Sequence, residues 1–272
     1  ISFKFYPNED ELKTAAKLGE IDSFASDSKC CDDLENFQDY QYPVQGVYYS
    51  LYFNLRNEKF DDVELRRKMR KVLPIEDLIY TRGIPVQGPI SRSFFTSKNI
   101  DYNTYDKNFS EDLGGMNVEI AVPNEKHHVT LAENIAKVWK DKLGLSVSIK
   151  KEKPETFVQD IIETRNFEIL LYGQEVGRDP DRYVLWHSTQ KEAPNLNISG
   201  FEQIRVDRAL EEGRNEIDNE KRLVHYNEFQ RVVDEQVPAI FLYHPFVHYY
   251  ISNYIEGFGQ KHTFTYWDRF LD

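Results

Sequence analysis

The sequence predicts a layered α/β domain on a partly parallel sheet, and two stretches carry that prediction. Between residues 118 and 172 strand-like and helix-like patterns alternate as β-α-β-α-β, and such crossovers return right-handed to the same sheet. The last of these strands, Phe167-Glu-Ile-Leu-Leu-Tyr172, then breaks into a loop dense in Gly, Pro and charge over residues 173–188. Open α/β sheets bind ligands outside the carboxyl ends of their strands, so this loop is where a ligand is expected.

Taken in order, Ile1-Ser-Phe-Lys-Phe-Tyr6 alternates as a strand, and a helix carrying Leu12, Ala15, Ala16 and Leu18 follows Pro7-Asn8 and stops at Gly19. A polar, acidic connection leads to residues 44–55, where tyrosines and apolar residues alternate as a strand. From Asp61 a charged helix places Leu65, Met69 and Val72 about one turn apart until Pro74, and a short helix over residues 75–80 succeeds it. The glycines and prolines of residues 82–117 mark a long irregular segment of the kind that lines binding sites.

Within the alternating region, residues 118–122 are a strand and Thr130-Leu-Ala-Glu133 matches a capping box. The helix so begun buries Leu131, Ile135 and Val138, and Gly144 supplies a left-handed stop. Residues 145–149 are the next strand, and Pro154 opens a helix through Phe157, Val158 and Ile161. Beyond the loop come two amphipathic helices, the second N-capped by Asp218 and stopped by Pro238. Strands over residues 239–243 and 247–251 and an aromatic, irregular tail from Ile255 complete the chain.

Composition narrows the function. The 272 residues suffice for one large or two ordinary domains, with no need of a metal or disulfide to hold a core. Mean hydropathy is −0.63 and no apolar run approaches the ~18 residues of a membrane span. A formal charge of −12 repels a phosphate backbone, so nucleic acid is not an expected partner. Cys30 and Cys31 are adjacent, where a bridge is strained, and are expected to be free. The chain begins at Ile1 without a signal-like segment, as a processed piece of a longer protein would.

Four stretches resemble the C-terminal half of the bacterial extracellular solute-binding proteins of family 5, the oligopeptide, dipeptide and nickel binders of ABC importers. They are Tyr52-Phe-Asn-Leu55 with Phe60-Asp-Asp-Val63 and Arg66-Arg67-Lys68; Gly83-Ile-Pro-Val-Gln-Gly-Pro-Ile90; the strand and loop around Asp179-Pro180-Asp181; and Asp207 to Tyr243 with Glu220-Lys-Arg222, Tyr226-Asn-Glu-Phe-Gln230 and Val237-Pro-Ala-Ile-Phe-Leu-Tyr243. The resemblance implies a periplasmic-binding-protein-like two-lobe fold of type II, cluster C. Residues 1–45 would end the first lobe, 46–245 form the α/β ligand-binding second lobe, and 246–272 return toward the first, with a hinge near Tyr52 and Leu242.

In peptide-binding relatives a Trp and, three residues later, an Asp follow the equivalent strand, and the Asp pairs with the peptide's α-ammonium; such a pair gains strength in a closed, low-dielectric cleft. This chain departs from the pattern: Gln174 stands at the Trp position, and Glu175 and Asp179 are the carboxylates at hand. Against these roles stand plainer ones, a turn cap for Asp179 beside Pro180 and a solvated loop charge for Glu175. Arg178 is suited either to a peptide carboxylate or to neutralising Asp179 and Asp181. Tyr172, Tyr183 and Trp186 suit stacking on ligand or, more commonly, packing of the lobe; Arg82 and Gln87 are weaker contacts.

No metal or cofactor is expected. His127 and His128 are neighbours, and His244 and His248 share a strand face about 13 Å apart, too far for one ion. No spaced zinc-ligand set, nucleophile elbow, phosphate loop or dinucleotide fingerprint is present. The expected function is the substrate-binding component of an ABC importer that closes on its solute without chemistry, with peptides favoured. Alternatives are a nickel, sugar or other small solute on the same fold, a carboxylate-dependent hydrolase, and a module that has lost its pocket. The expected partners are the solute and a membrane permease. The expected location is periplasmic or extracellular, with the full-length protein anchored to the membrane.

Overall fold

The structure, a computed structural model, describes residues 2–27, 29–31, 33–86, 88–90 and 104–257. Helix α1 (Glu9–Lys17) and strands β1 (Ser23–Ser26), β2 (Phe37–Pro43) and β3 (Val47–Phe53) lead into helices α2 (Val63–Lys71) and α3 (Ile75–Ile79) and strand β4 (Gly83–Pro85). Strand β5 (Asn117–Pro123), helix α4 (Lys126–Leu143), strand β6 (Ser146–Glu152), a π-helical turn (Val158–Glu163) and strand β7 (Ile169–Glu175) form the alternating region. Helices α5 (Tyr183–Trp186), α6 (Ile204–Asn215) and α7 (Asn219–Gln236) precede the long strand β8 (Ala239–Ser252). Among the described residues no helix is long and apolar enough to cross a membrane.

The main sheet runs β6-β5-β7-β3-β8. Strand β5 is parallel to both β6 and β7, whereas β3 is antiparallel to β7 and β8, so the predicted partly parallel sheet is present. Both of its faces are covered, which explains the unbroken apolar run Ile169-Leu170-Leu171. Leu170 and Tyr52 point into a core with α6 and α7, while Ile169, Leu171 and Leu51 point into an opposite core with α2 and α4. There the fully buried Trp139 donates its indole N–H to the Met69 carbonyl at 2.9 Å, tying α4 to α2.

Strand β8 serves two sets of partners. Its first half pairs with β3 and β4, its second half with β1 and β2, and Pro245 stands where the partners change. The sequence pattern breaks into two strands there because proline cannot donate to a ladder. The strand nevertheless continues, since Pro245 still accepts from the Val44 amide at 2.8 Å. Opposite lies Gly83, at which a Cβ would collide with the His244 carbonyl, so only glycine allows β4 to dock.

Several expectations are corrected. The alternation at residues 2–6 forms no strand: Phe3 and Phe5 are exposed, because alternation alone supplies no neighbouring edge. The acidic connection between residues 20 and 44 instead contains β1 and β2, held by β8. Helix α4 begins at Lys126, four residues before the capping-box threonine, and the Thr130 hydroxyl donates back to the Lys126 carbonyl at 2.7 Å within the helix. Cys30 and Cys31, expected to be free, are joined in a disulfide between chain neighbours. Strands β3 and β8, the strands where a hinge is expected, carry Tyr52 and Leu242 inside the main sheet, and the chain passes to the ladder of β1 and β2 just before β3 at residues 44–46 and within β8 at Pro245.

Candidate functional site

The carboxyl ends of β5 and β7, the start of β3, strand β4 and the middle of β8 all meet at one edge of the main sheet. Beyond that edge β8 continues into its ladder with β1 and β2. The carboxyl edge of the main sheet therefore lies next to the ladder of β1 and β2 with β8. Asp27, immediately after β1, lies close enough for its charge to act on His127 at the start of α4.

Glu175 ends β7 at this edge, exposed and opposite Val47 of β3. Just before it, Gly173 lies under the Tyr49 ring, where a Cβ would press within 2.8 Å of the ring, and Tyr49 in turn stacks on Tyr243 at 4.9 Å. The loop that follows is built inward around Arg182, a buried guanidinium that no sequence pattern singled out. Its Nε donates to the Pro89 carbonyl at 2.9 Å, Nη1 to those of Asp179 and Asp181 at 2.6 and 3.1 Å, and Nη2 to that of Gly177 at 3.3 Å. A planar fork of donors suits this cluster of carbonyls.

Two further arginines hold the loop from outside. Arg222 of α7 donates to both carboxylate oxygens of Asp179 at 3.0 and 3.1 Å, and Arg214 of α6 lies 3.0 Å from Asp181. Asp179 also accepts the Asp181 amide at 2.9 Å, the turn expected beside Pro180. Burial opposes the Asp179 charge, but the Arg222 hydrogen bonds, the Asp181 amide and the nearby arginine charges prevail and hold its carboxyl below the usual range. Arg222 and Arg214 thus pair with Asp179 and Asp181, and Arg178 is exposed at the loop surface.

The remaining candidates divide between the core and the sheet edge. Gln174 is turned inward: its Oε1 accepts from Tyr52 at 2.7 Å and Tyr48 at 3.4 Å, and its Nε2 donates to the Leu196 carbonyl at 3.3 Å. Burial pushes the pKa of both tyrosines up, so each stays a donor. Trp186 is buried among Tyr52, Phe201, Phe229 and Phe241, ring centroids 6.0 to 6.4 Å away. Tyr172 stacks on Phe157 at 5.9 Å, and Tyr183 lies between the His187 ring at 4.0 Å and the Arg214 guanidinium at 4.3 Å. Arg82 remains at the edge, its Nη1 donating to the His127 carbonyl at 2.8 Å. Gln87 lies outside the described residues.

The profile of the bacterial extracellular solute-binding proteins, family 5 Middle, matches residues 1–195. The chain belongs to this family. It is 21% identical to the oligopeptide-binding protein AppA of Bacillus subtilis over 95% of its own length and 53% of that protein's. The fold is that of the AppA structure in complex with a nonapeptide, with a TM-score of 0.77 at 18% identity, covering 96% of this chain and 57% of AppA. It is also that of NikZ from Campylobacter jejuni in complex with Ni(L-His), with a TM-score of 0.74 at 22% identity over 93% and 56% of the two chains. For CtaP of Listeria monocytogenes the TM-score is 0.79 at 19% identity over 92% and 54%. The chain therefore spans about half the length of the relatives it matches.

In this family 5 chain the start of α4, whose His127 and His128 were set aside as mere neighbours in the sequence, lies at the same carboxyl edge of the sheet. Glu125 occupies the N-cap without a side-chain hydrogen bond to the helix, and His127 and His128 fill the first turn where acidic residues are usual. The signal was present in Glu125-Lys-His-His128, but neighbouring histidines match no spaced ligand set, and Glu125 was not considered with them.

Proposed function

We propose that this chain supplies much of the ligand-holding part of an ABC importer's substrate-binding protein, and that it takes peptides without acting on them chemically. The observation that carries the reading is the carboxyl edge of a two-face-covered sheet, which lies next to the ladder of β1 and β2 with β8; we place the ligand crevice there, with the chain passing between the two parts at residues 44–46 and along β8. Such a connection suits closure of one body on another around a ligand. The division follows the strand pairing: residues up to about 45 and from about 245 go with the first lobe, those between form the second. Peptides are favoured because AppA, similar over nearly the whole chain, is described as an oligopeptide-binding protein.

Within the crevice, Glu175 and Arg178 of the β7 loop and Arg82 of the opposite corner are the contacts we assign to ligand. Tyr172 and Tyr183 back the loop. Asp179 acts by positioning it through Arg222, while Gln174 and Trp186 hold the lobe together. In the intact protein the partners are the solute and a membrane permease, in the periplasm or outside the cell, with an anchor to the membrane. The test is calorimetric titration of the full-length protein with peptides bearing free or acetylated amino termini. Glu175→Gln is expected to weaken binding of the free-amine peptides and spare the acetylated ones. Equal affinity of variant and parent for both sets would remove Glu175 from the site.

A further inference from the structure

We infer that Glu125, His127 and His128 form a binding site for a divalent first-row transition-metal ion, at the corner of the crevice where α4 begins. One donor atom from each of the three residues lies within 4.8 Å of those of the other two. His128 Nδ1 stands 2.9 Å, and His127 Nε2 3.8 Å, from the same Glu125 carboxylate oxygen. Ligands about 2.1 Å from one ion are roughly 3 to 3.5 Å apart in tetrahedral or similar geometry, so small side-chain rotations bring the set together.

His128 points to a ligand independently of that convergence. It is 5% exposed, and neither of its ring nitrogens has a hydrogen-bond partner; the 2.9 Å approach to Glu125 is out of line for one. A buried imidazole without a partner costs stability and calls for an explanation.

Two imidazoles and one carboxylate are borderline donors, which favour nickel, copper, zinc or cobalt over the hard, oxygen-seeking magnesium and calcium. The charges around the site are mixed. The amino end of α4 and the Arg82 guanidinium, held on the His127 carbonyl at 2.8 Å, oppose a cation; the Glu125 and Asp27 carboxylates favour it. The outcome is a site of moderate affinity whose occupancy depends on all three ligands. It stands apart from the peptide reading: none of its three residues is among the peptide contacts assigned above.

The test titrates chelator-treated, full-length protein with Ni²⁺ and Zn²⁺ salts by calorimetry, and with Co²⁺ by its visible absorption, all without peptide. Binding of one ion per chain is expected, unaffected by excess Mg²⁺ and weakened at least about tenfold in each of Glu125→Gln, His127→Ala and His128→Gln. His127 is exposed, so His127→Ala keeps the test valid if the buried variant folds poorly. No one-to-one binding by the parent, or equal binding by Glu125→Gln and His127→Ala, would overturn the site whatever peptides do. Peptide binding without metal binding refutes this site alone, and metal binding without peptide binding refutes the peptide reading alone.

Discussion

The two ends of the main sheet's carboxyl edge treat their polar groups in opposite ways. At the β7 end the loop is rich in charge, yet Asp179, Asp181 and the carbonyls around them are bound by Arg222, Arg214 and Arg182. At the α4 end, Glu125 caps nothing with its side chain and His128 is buried without a hydrogen bond. Charge density in the sequence pointed to the first end; lack of internal partners in the structure points to the second. A charged loop is a site only to the extent that its charges are left over once the fold has used them.

The largest effect expected from breaking this contrast is at Arg182. Arg182→Ala strips donors from four carbonyls around a buried cation's place, and should cost about 3 kcal/mol in urea unfolding with the m-value unchanged. Arg182→Lys should recover only part of this, since an ammonium cannot fork; full recovery would mean charge alone holds the loop.

At the other end the prediction concerns pH. The folded His128 imidazole has a pKa of about 3 against 6.5 for a free one, so between those values the unfolded chain binds a proton that the folded chain refuses. Stability contributed by this residue is complete above pH 6.5 and declines as pH falls toward 3. In pH-dependent chemical denaturation, His128→Gln should flatten that slope. An unchanged slope would show that His128 is protonated or paired when folded.

Asp179 gives a smaller effect with its own window. Its folded pKa is depressed, so its contribution is present above the ordinary 3.8 and is lost as pH falls through the folded value. The pair with Arg222 is largely solvent-exposed on the Asp179 side, so Asp179→Asn should cost under about 1 kcal/mol at neutral pH, and less in high salt. A larger loss that salt leaves untouched would make Asp179 part of the core. The smallest effect is at Thr130. A capping residue replaced by alanine loses about 1 kcal/mol, whereas a mid-helix threonine bonded back to Lys126 should change stability by a few tenths at most.

Much of the fold was legible because its signals are local. The β-α-β-α-β alternation, the Gly144 stop and the Asp218 cap each appear in the structure where their chemistry requires. Strands β1 and β2 were not legible, since their sequences are polar and only pairing with β8, over two hundred residues away, makes them strands. The same holds for the site. Gly173 and the carboxylates were visible, but that Asp179 belongs to Arg222, or Gln174 to Tyr52, depends on packing between elements distant in sequence. Glu125 was not linked to the two histidines, because their convergence matches no ligand spacing the sequence pattern displays.

The central claim, that this crevice holds a solute reversibly and without chemistry, is tested most directly by native mass spectrometry of the full-length protein as purified, followed by sequencing of whatever dissociates. The account predicts a set of co-purified peptides that leave intact on gentle activation, and thermal stabilisation on their return of about 2.7 kcal/mol at a hundredfold excess over Kd. A protein that stays empty after incubation with peptides, or that returns them cleaved, would contradict it.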